Sequence, residues 1–119
     1  METEELLKRI AKILSDKKCK DILWIDVTAK TDATDAFLLC SARNLSLAKA
    51  AYEEICARLE PEDIYTRSVD GLRDGRWIVM DYGRVIVHIF NYTIREQYRF
   101  EALWSLEDGS NVTRYEEEE

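Results

Sequence analysis

Trp77-Ile78-Val79-Met80-Asp81-Tyr82-Gly83-Arg84-Val85-Ile86-Val87-His88-Ile89-Phe90 decides the fold. Trp77 to Met80 is a continuous apolar run, and Val85 to Phe90 is a second, interrupted only by His88. Such runs read as strands buried on both faces, central in a covered sheet. Asp81-Tyr82-Gly83-Arg84 between them is a hairpin signal, because Gly83 takes the positive φ that tight turns demand. The turn leaves Asp81, Tyr82 and Arg84 at the rim of the sheet, where side chains meet partners.

Outward from this hairpin the chain alternates between the two periodicities. Leu6, Leu7, Ile10, Ile13 and Leu14 fall at helical spacing, which predicts a helix from Thr3 to Lys17 with Thr3 as its cap. Ile22 to Val27 and Ala36 to Cys40 read as strands, and their short polar link predicts antiparallel pairing. Asp32 and Asp35 on that link suit turn chemistry. Asn44 caps a second helix whose apolar face is Ala48, Ala51, Tyr52, Ile55 and Leu59. Pro61 is expected to end it by disfavouring helical geometry at Glu60. Ile64 to Val69 alternates with polar residues and reads as an edge strand. Asp70 to Gly75, with two glycines, is a sharply bent loop. Beyond Phe90, Thr93 is the expected cap of a short helix, and a further turn carries Phe100, Leu103 and Trp104. These elements predict one two-layer α/β domain over residues 1–104 with a mixed sheet of five strands. Residues 105–119, ending in four glutamates, are expected to form a disordered acidic tail.

A chain of 119 residues has room for one core. No stretch approaches the roughly 18 apolar residues of a membrane span. The acidic start Met1 to Glu5 lacks the basic segment of a secretory signal, so the expected location is the cytoplasm. Cys19, Cys40 and Cys56 show no Cys-x-x-Cys spacing and read as reduced thiols packed as small hydrophobes. The net charge of −7 argues against direct nucleic-acid binding as the main activity, because phosphate contacts need a basic face. An acidic surface suits a basic protein partner.

The catalytic inventory is thin. His88 is the only histidine and sits within a strand. A Cys40–His88 dyad would need an activated thiolate, which apolar strand positions do not favour. There is no phosphate-cradling loop and no dinucleotide fingerprint. Asp26, Asp32 and Asp35 form no Asp-x-Asp pair for magnesium. Neither a metal nor a cofactor is expected, and an enzyme is the minority reading. Trp77, Tyr82, Tyr98 and Trp104 cannot all fill so small a core, and aromatics of this kind anchor protein interfaces.

Trp77-x-Val79-Met80-Asp81-Tyr82-Gly83-x-Val85-Ile86-Val87-His88-Ile89-Phe90, then Arg95-Glu96-x-Tyr98 and Leu103-Trp104, resembles the ribosomal silencing factor family, also called RsfS or Iojap-like. Ile25-Asp26-Val27, Thr31-Asp32, Asp35-x-Phe37 and Val69-Asp70-Gly71 fall at family positions too, so the likeness runs from Leu6 to Trp104. The resemblance implies a homodimeric domain of nucleotidyltransferase-like topology without the catalytic set. It implies binding to the fourteenth protein of the large ribosomal subunit. That contact would block joining of the small subunit and repress translation in starved or stationary cells. A role in large-subunit assembly, or a nucleotide-binding enzyme of that fold, are the alternatives. Carried over by motif, the expected contact residues are Trp77, Asp81, Tyr82, Arg95 and Tyr98, with Asp35 as a further candidate. The chain departs from the family pattern at Ser41-Ala42-Arg43-Asn44, where a glycine and small hydroxyl residues are usual.

Overall fold

Apolar residues three and four apart must bury one helix face, and alternating ones must bury one strand face. In the computed structural model, which describes residues 2–116, both patterns converge on one mixed sheet. The elements in order are α1 (Thr3–Asp16), β1 (Lys20–Asp26), β2 (Ala36–Ala42), α2 (Leu45–Leu59), β3 (Ser68–Asp70), β4 (Trp77–Asp81), β5 (Val85–Asn91), α3 (Tyr92–Tyr98), α4 (Phe100–Trp104) and β6 (Val112–Arg114). The sheet order is β3-β4-β5-β2-β1-β6. Every neighbouring pair is antiparallel except β2 and β5, which run parallel from Ala36↔Val85 to Ala42↔Asn91.

The expected hairpin is present: β4 and β5 pair from Trp77↔Phe90 to Asp81↔Ile86. β1 and β2 pair antiparallel as their short link predicts. Strand alternation divides the side chains between two faces. Ala36, Leu38, Cys40, Ile78, Met80, Val85, Val87 and Ile89 form one core with the buried faces of α1 and α2. Leu23, Ile25, Phe37, Leu39 and Phe90 form a second core with Phe100. Helices therefore lie on both faces, rather than in the single helical layer expected of a two-layer domain.

Several local expectations are corrected. The sheet has six strands, not five, because Val112–Arg114 pairs with β1 at Ile25, Trp24 and Leu23. The disorder expected of residues 105–119 does not hold for this strand, and the last three glutamates lie outside the described residues. Asn111 secures the strand's entry: its Nδ2 donates to the carbonyls of Asp26 at 2.9 Å and Trp104 at 3.0 Å. Glu2, not Thr3, is the N-cap of α1, and Thr3 instead donates its hydroxyl to Asp35 Oδ2 at 2.7 Å. Asn91, not Thr93, caps α3, accepting from the Thr93 amide at 3.1 Å. Asn44 caps α2 as expected, accepting from the Leu47 amide at 2.7 Å. Pro61 does not push Glu60 out of helical geometry. Glu60 keeps φ −60° and ψ −39° and opens a 3-10 turn with Pro61 inside it; Asp63, left-handed at φ +62°, ends the run. The edge strand expected over Ile64 to Val69 is only Ser68–Asp70.

The loop before β4 depends on Gly71. Its φ is +80°, and a Cβ there would collide with the Trp77 carbonyl oxygen. Gly109 has φ +70° but open space around it. Gly71→Ala should therefore lower unfolding free energy in chemical denaturation by well over about 1 kcal/mol, while Gly109→Ala should cost no more than the left-handed strain of about 1–2 kcal/mol.

Candidate functional site

The second sheet face is incompletely roofed. α3 has 7 residues and α4 has 5. At 1.5 Å per residue they run about 10 and about 8 Å, against roughly 24 Å across six strands. The consequence shows in β4, where Ile78 and Met80 are fully buried but Trp77, Val79 and Asp81 on the other face are only half-buried. Ile86 on β5 is half-buried beside them. The expectation that both hairpin strands are covered on both faces is thus corrected: Val79 and Ile86 meet solvent where the helices stop.

Around this opening the aromatic residues form a connected group. The Trp77 ring stacks on Phe90 with centroids 4.9 Å apart and reaches Tyr98 at 5.5 Å. Phe37 meets Trp104 edge-on at 4.8 Å, and His88 meets Phe100 at 4.5 Å. Tyr98, at 55 % exposed, carries the group out into solvent, and Leu103 beside Trp104 on α4 is 68 % exposed. Such projecting aromatic and aliphatic groups over a packed base are the anatomy of a protein-docking surface.

His88 lies beneath this surface. Trp77 Nε1 donates to His88 Nδ1 at 3.0 Å, which places the imidazole proton on Nε2. Nε2 is buried with no hydrogen-bond partner. Desolvation pushes the imidazole down to about 3, so it is neutral at physiological pH. Its neighbour in register is Leu39, and Cys40 points to the opposite sheet face, which removes a Cys40–His88 dyad. The three thiols are free. Cys40 shares a hydrogen bond with Cys19, and that bond together with burial raises its thiol.

The residues expected to form one contact patch fall at two ends of the sheet. Trp77 and Tyr98 come together at one end. Asp81, Tyr82 and Asp35 gather at the other, around the hairpin turn. There Asp81 Oδ1 accepts from the Gly83 amide at 2.7 Å, and Thr34 Oγ1 donates to the Gly83 carbonyl at 2.8 Å. The backbone amide of Asp35 donates to the Arg84 carbonyl at 3.1 Å. Tyr82 leans onto the core of the first face, and burial raises its phenol, with Cys56 and Glu60 of the α2 end adding to the effect.

Arg95 is largely buried and acts as a clamp. Its Nε donates to Glu101 Oε1 at 3.0 Å, and its Nη1 donates to the Asp21 carbonyl at 2.7 Å and to Ser41 Oγ at 2.9 Å. Asp21 stands at the bulge of β1 with φ +51°, and the guanidinium fixes that bulge while tying α3 to α4. The sequence reading missed Val79, Ile86 and Leu103. A continuous apolar run hides which face is covered; only the shortness of the final helices carried the signal.

Among the described residues no group of three or more His, Cys, Asp or Glu side chains could hold a metal ion, and no helix is long and apolar enough to cross a membrane. The family model described as ribosomal silencing factor during starvation, RsfS, matches residues 1–119. The chain belongs to the ribosomal silencing factor family. It is 31 % identical over 104 residues to ribosomal silencing factor RsfS of Bacillus subtilis, covering 87 % of this chain and 88 % of that protein. It is 29 % identical to the mitochondrial Iojap-related protein of Arabidopsis thaliana, covering 90 % of this chain and 60 % of that longer protein. The crystal structure of a Chromobacterium violaceum protein superimposes with a TM-score of 0.83 at 28 % identity, covering 87 % of each chain. A crystal structure from Bacillus halodurans gives 0.76 at 27 % identity, covering 85 % of this chain and 94 % of the other. Members of this family are non-catalytic ribosome-binding factors that block the joining of ribosomal subunits.

The buried groups predict two outcomes. His88 is neutral when folded and takes up a proton when unfolded at any pH between its lowered value of about 3 and the ordinary 6.5. Its contribution is therefore complete above about pH 6.5 and lost as pH falls through that window. The difference in unfolding free energy between the natural chain and His88→Phe should fall with acid at a slope approaching about 1.4 kcal/mol per pH unit, followed by urea denaturation at stepped pH. Arg95→Met should destabilise by on the order of 2 kcal/mol or more, because Glu101, Ser41 and the Asp21 carbonyl lose a common donor, and Arg95→Lys should recover only part of it.

Proposed function

We propose that this chain silences translation by laying the open second face of its sheet against the large ribosomal subunit, through the fourteenth protein of that subunit. The carrying observation is the half-roofed face, where Trp77, Val79, Ile86, Tyr98 and Leu103 present an apolar and aromatic surface with a packed base. A net charge of −7 supports a basic partner and draws it from a distance. The mechanism is steric: a bound domain occupies the surface the small subunit needs, and no bond is made or broken.

Within this reading Trp77 and Tyr98 are the anchors. Arg95 is a positioning residue that holds α3 and hence Tyr98. Asp35, Asp81 and Tyr82 contribute by shaping the hairpin turn that forms the far rim of the contact. Two copies pair when free, which would cover the same apolar surface until the ribosome competes for it. The site of action is the cytoplasm, where the large subunit is met. The helix-flanked mixed sheet also supports descent from the nucleotidyltransferase-like topology, with the family's non-catalytic role in place of transfer chemistry.

Co-sedimentation with purified large subunits, together with a light-scattering assay of subunit joining, tests the reading. The natural chain should pellet with large subunits and slow joining. Trp77→Ala and Tyr98→Ala should each weaken binding by about 2 kcal/mol if they are anchors, and Val79→Glu should weaken it through an unpaired charge in the contact. Large subunits that leave the natural chain wholly in the supernatant would overturn the reading, as would unchanged binding in the Trp77→Ala/Tyr98→Ala double variant.

A further inference from the structure

The carboxyl ends of the parallel pair β2–β5 hold a second feature, distinct from the open sheet face. From these adjacent strands the chain departs towards opposite sides: α2 packs on the first core and α3 leads into the second. Divergence of this kind opens a crevice outside the strand ends, the place where α/β sheets bind ligands. A cleft is present there, on the α3 side, lined by Ser41 and Tyr92 and by the guanidinium groups of Arg95, Arg99 and Arg114.

Its base is built rather than incidental. Arg95 is only 8 % exposed, with Nε and Nη1 committed to Glu101, Asp21 and Ser41, while its Nη2 has no hydrogen bond among the described residues. Arg99 and Arg114 are exposed and have no ion-pair partner among the described residues. Three guanidinium groups and three carboxylates line the cleft, and among the described residues only Arg95 and Glu101 form an ion pair, which leaves Arg99 and Arg114 able to turn to an anion. Two other features narrow the anion. Tyr92, 58 % exposed, offers a flat ring at the cleft. Of the carboxylates in the lining, Glu101 is taken by Arg95, and Asp21 and Glu96 can accept hydrogen bonds.

We propose that this cleft binds a free nucleoside di- or triphosphate. The phosphates meet Arg95, Arg99 and Arg114, the base stacks on Tyr92, and the hydroxyl or amino groups meet Glu96. A polynucleotide fits worse, because the net charge of −7 repels a long run of backbone phosphates more than the few phosphates of one nucleotide. The nucleotide is a ligand here and undergoes no reaction, in keeping with the non-catalytic family. The site does not depend on the docking reading and is tested without ribosomes.

Calorimetric titration of the full chain with ATP, GTP and inorganic pyrophosphate decides it. At least one nucleoside triphosphate should bind saturably. Arg99→Glu with Arg114→Glu should lower affinity about tenfold or more for nucleotide and pyrophosphate alike. Tyr92→Ala should weaken the nucleotide and leave pyrophosphate unchanged. All three positions are exposed, so circular dichroism and thermal melting should show an intact fold. No saturable binding at millimolar nucleotide would overturn the proposal. So would unchanged binding in the double variant, or tighter binding of a short single-stranded RNA than of any mononucleotide.

Discussion

The parallel pairing of β2 with β5 is the constraint on which the architecture depends. Strands that run the same way cannot be joined by a tight turn, so the chain between them must cross over the sheet. That crossover carries α2, β3 and β4, and β4 then returns as the antiparallel neighbour of β5. α1 and α2 fill the first face with aliphatic side chains from both helices and the central strands. Beyond β5 the chain must go to the other face, and only two short helices are left to cover it.

That shortage leaves the apolar face on which the proposed docking rests. A second face roofed by a full-length helix would bury Val79, Ile86 and Tyr98 and leave nothing apolar to offer. Instead the aromatic group around Trp77 and Phe90 is packed firmly below and open above. The packing has its own tension: a neutral histidine with one unpartnered nitrogen sits among aromatic rings, held by the indole of Trp77. Burying a polar atom without a partner opposes folding, so the aromatic contacts around it must outweigh that cost. The same indole thus serves both the interior and the proposed contact.

Arg95 and the C-terminal strand show how the ends of the chain are secured to this frame. The guanidinium gathers a strand bulge, a β2 hydroxyl and an α4 carboxylate into one knot. Asn111 does the corresponding work for β6, bridging the end of α4 to the end of β1. Both devices join segments far apart in sequence. A ribosome-binding factor that acts by obstruction needs a rigid outline, and these bonds provide it near the side that would meet the partner.

Much of the fold was legible in the residues. The hairpin at Gly83, the helical faces of α1 and α2, the Asn44 cap and the antiparallel β1–β2 pair all arise from local periodicity and turn chemistry, which act over a few residues. The likeness carried by Trp77 to Phe90 and by Arg95 to Trp104 pointed to the family to which the chain belongs. The sixth strand was not legible, because Val112-Thr113-Arg114 is too short and polar to signal itself and is a strand only by virtue of β1's free edge. Nor was the role of Arg95, whose motif position marked it as a contact while its hydrogen-bond partners lie 74 and 54 residues away. The sequence by itself determined which segments become helix and strand and which family they make. Tertiary structure alone decided which apolar face stays open and which charged group is buried, because burial is a property of what packs on top.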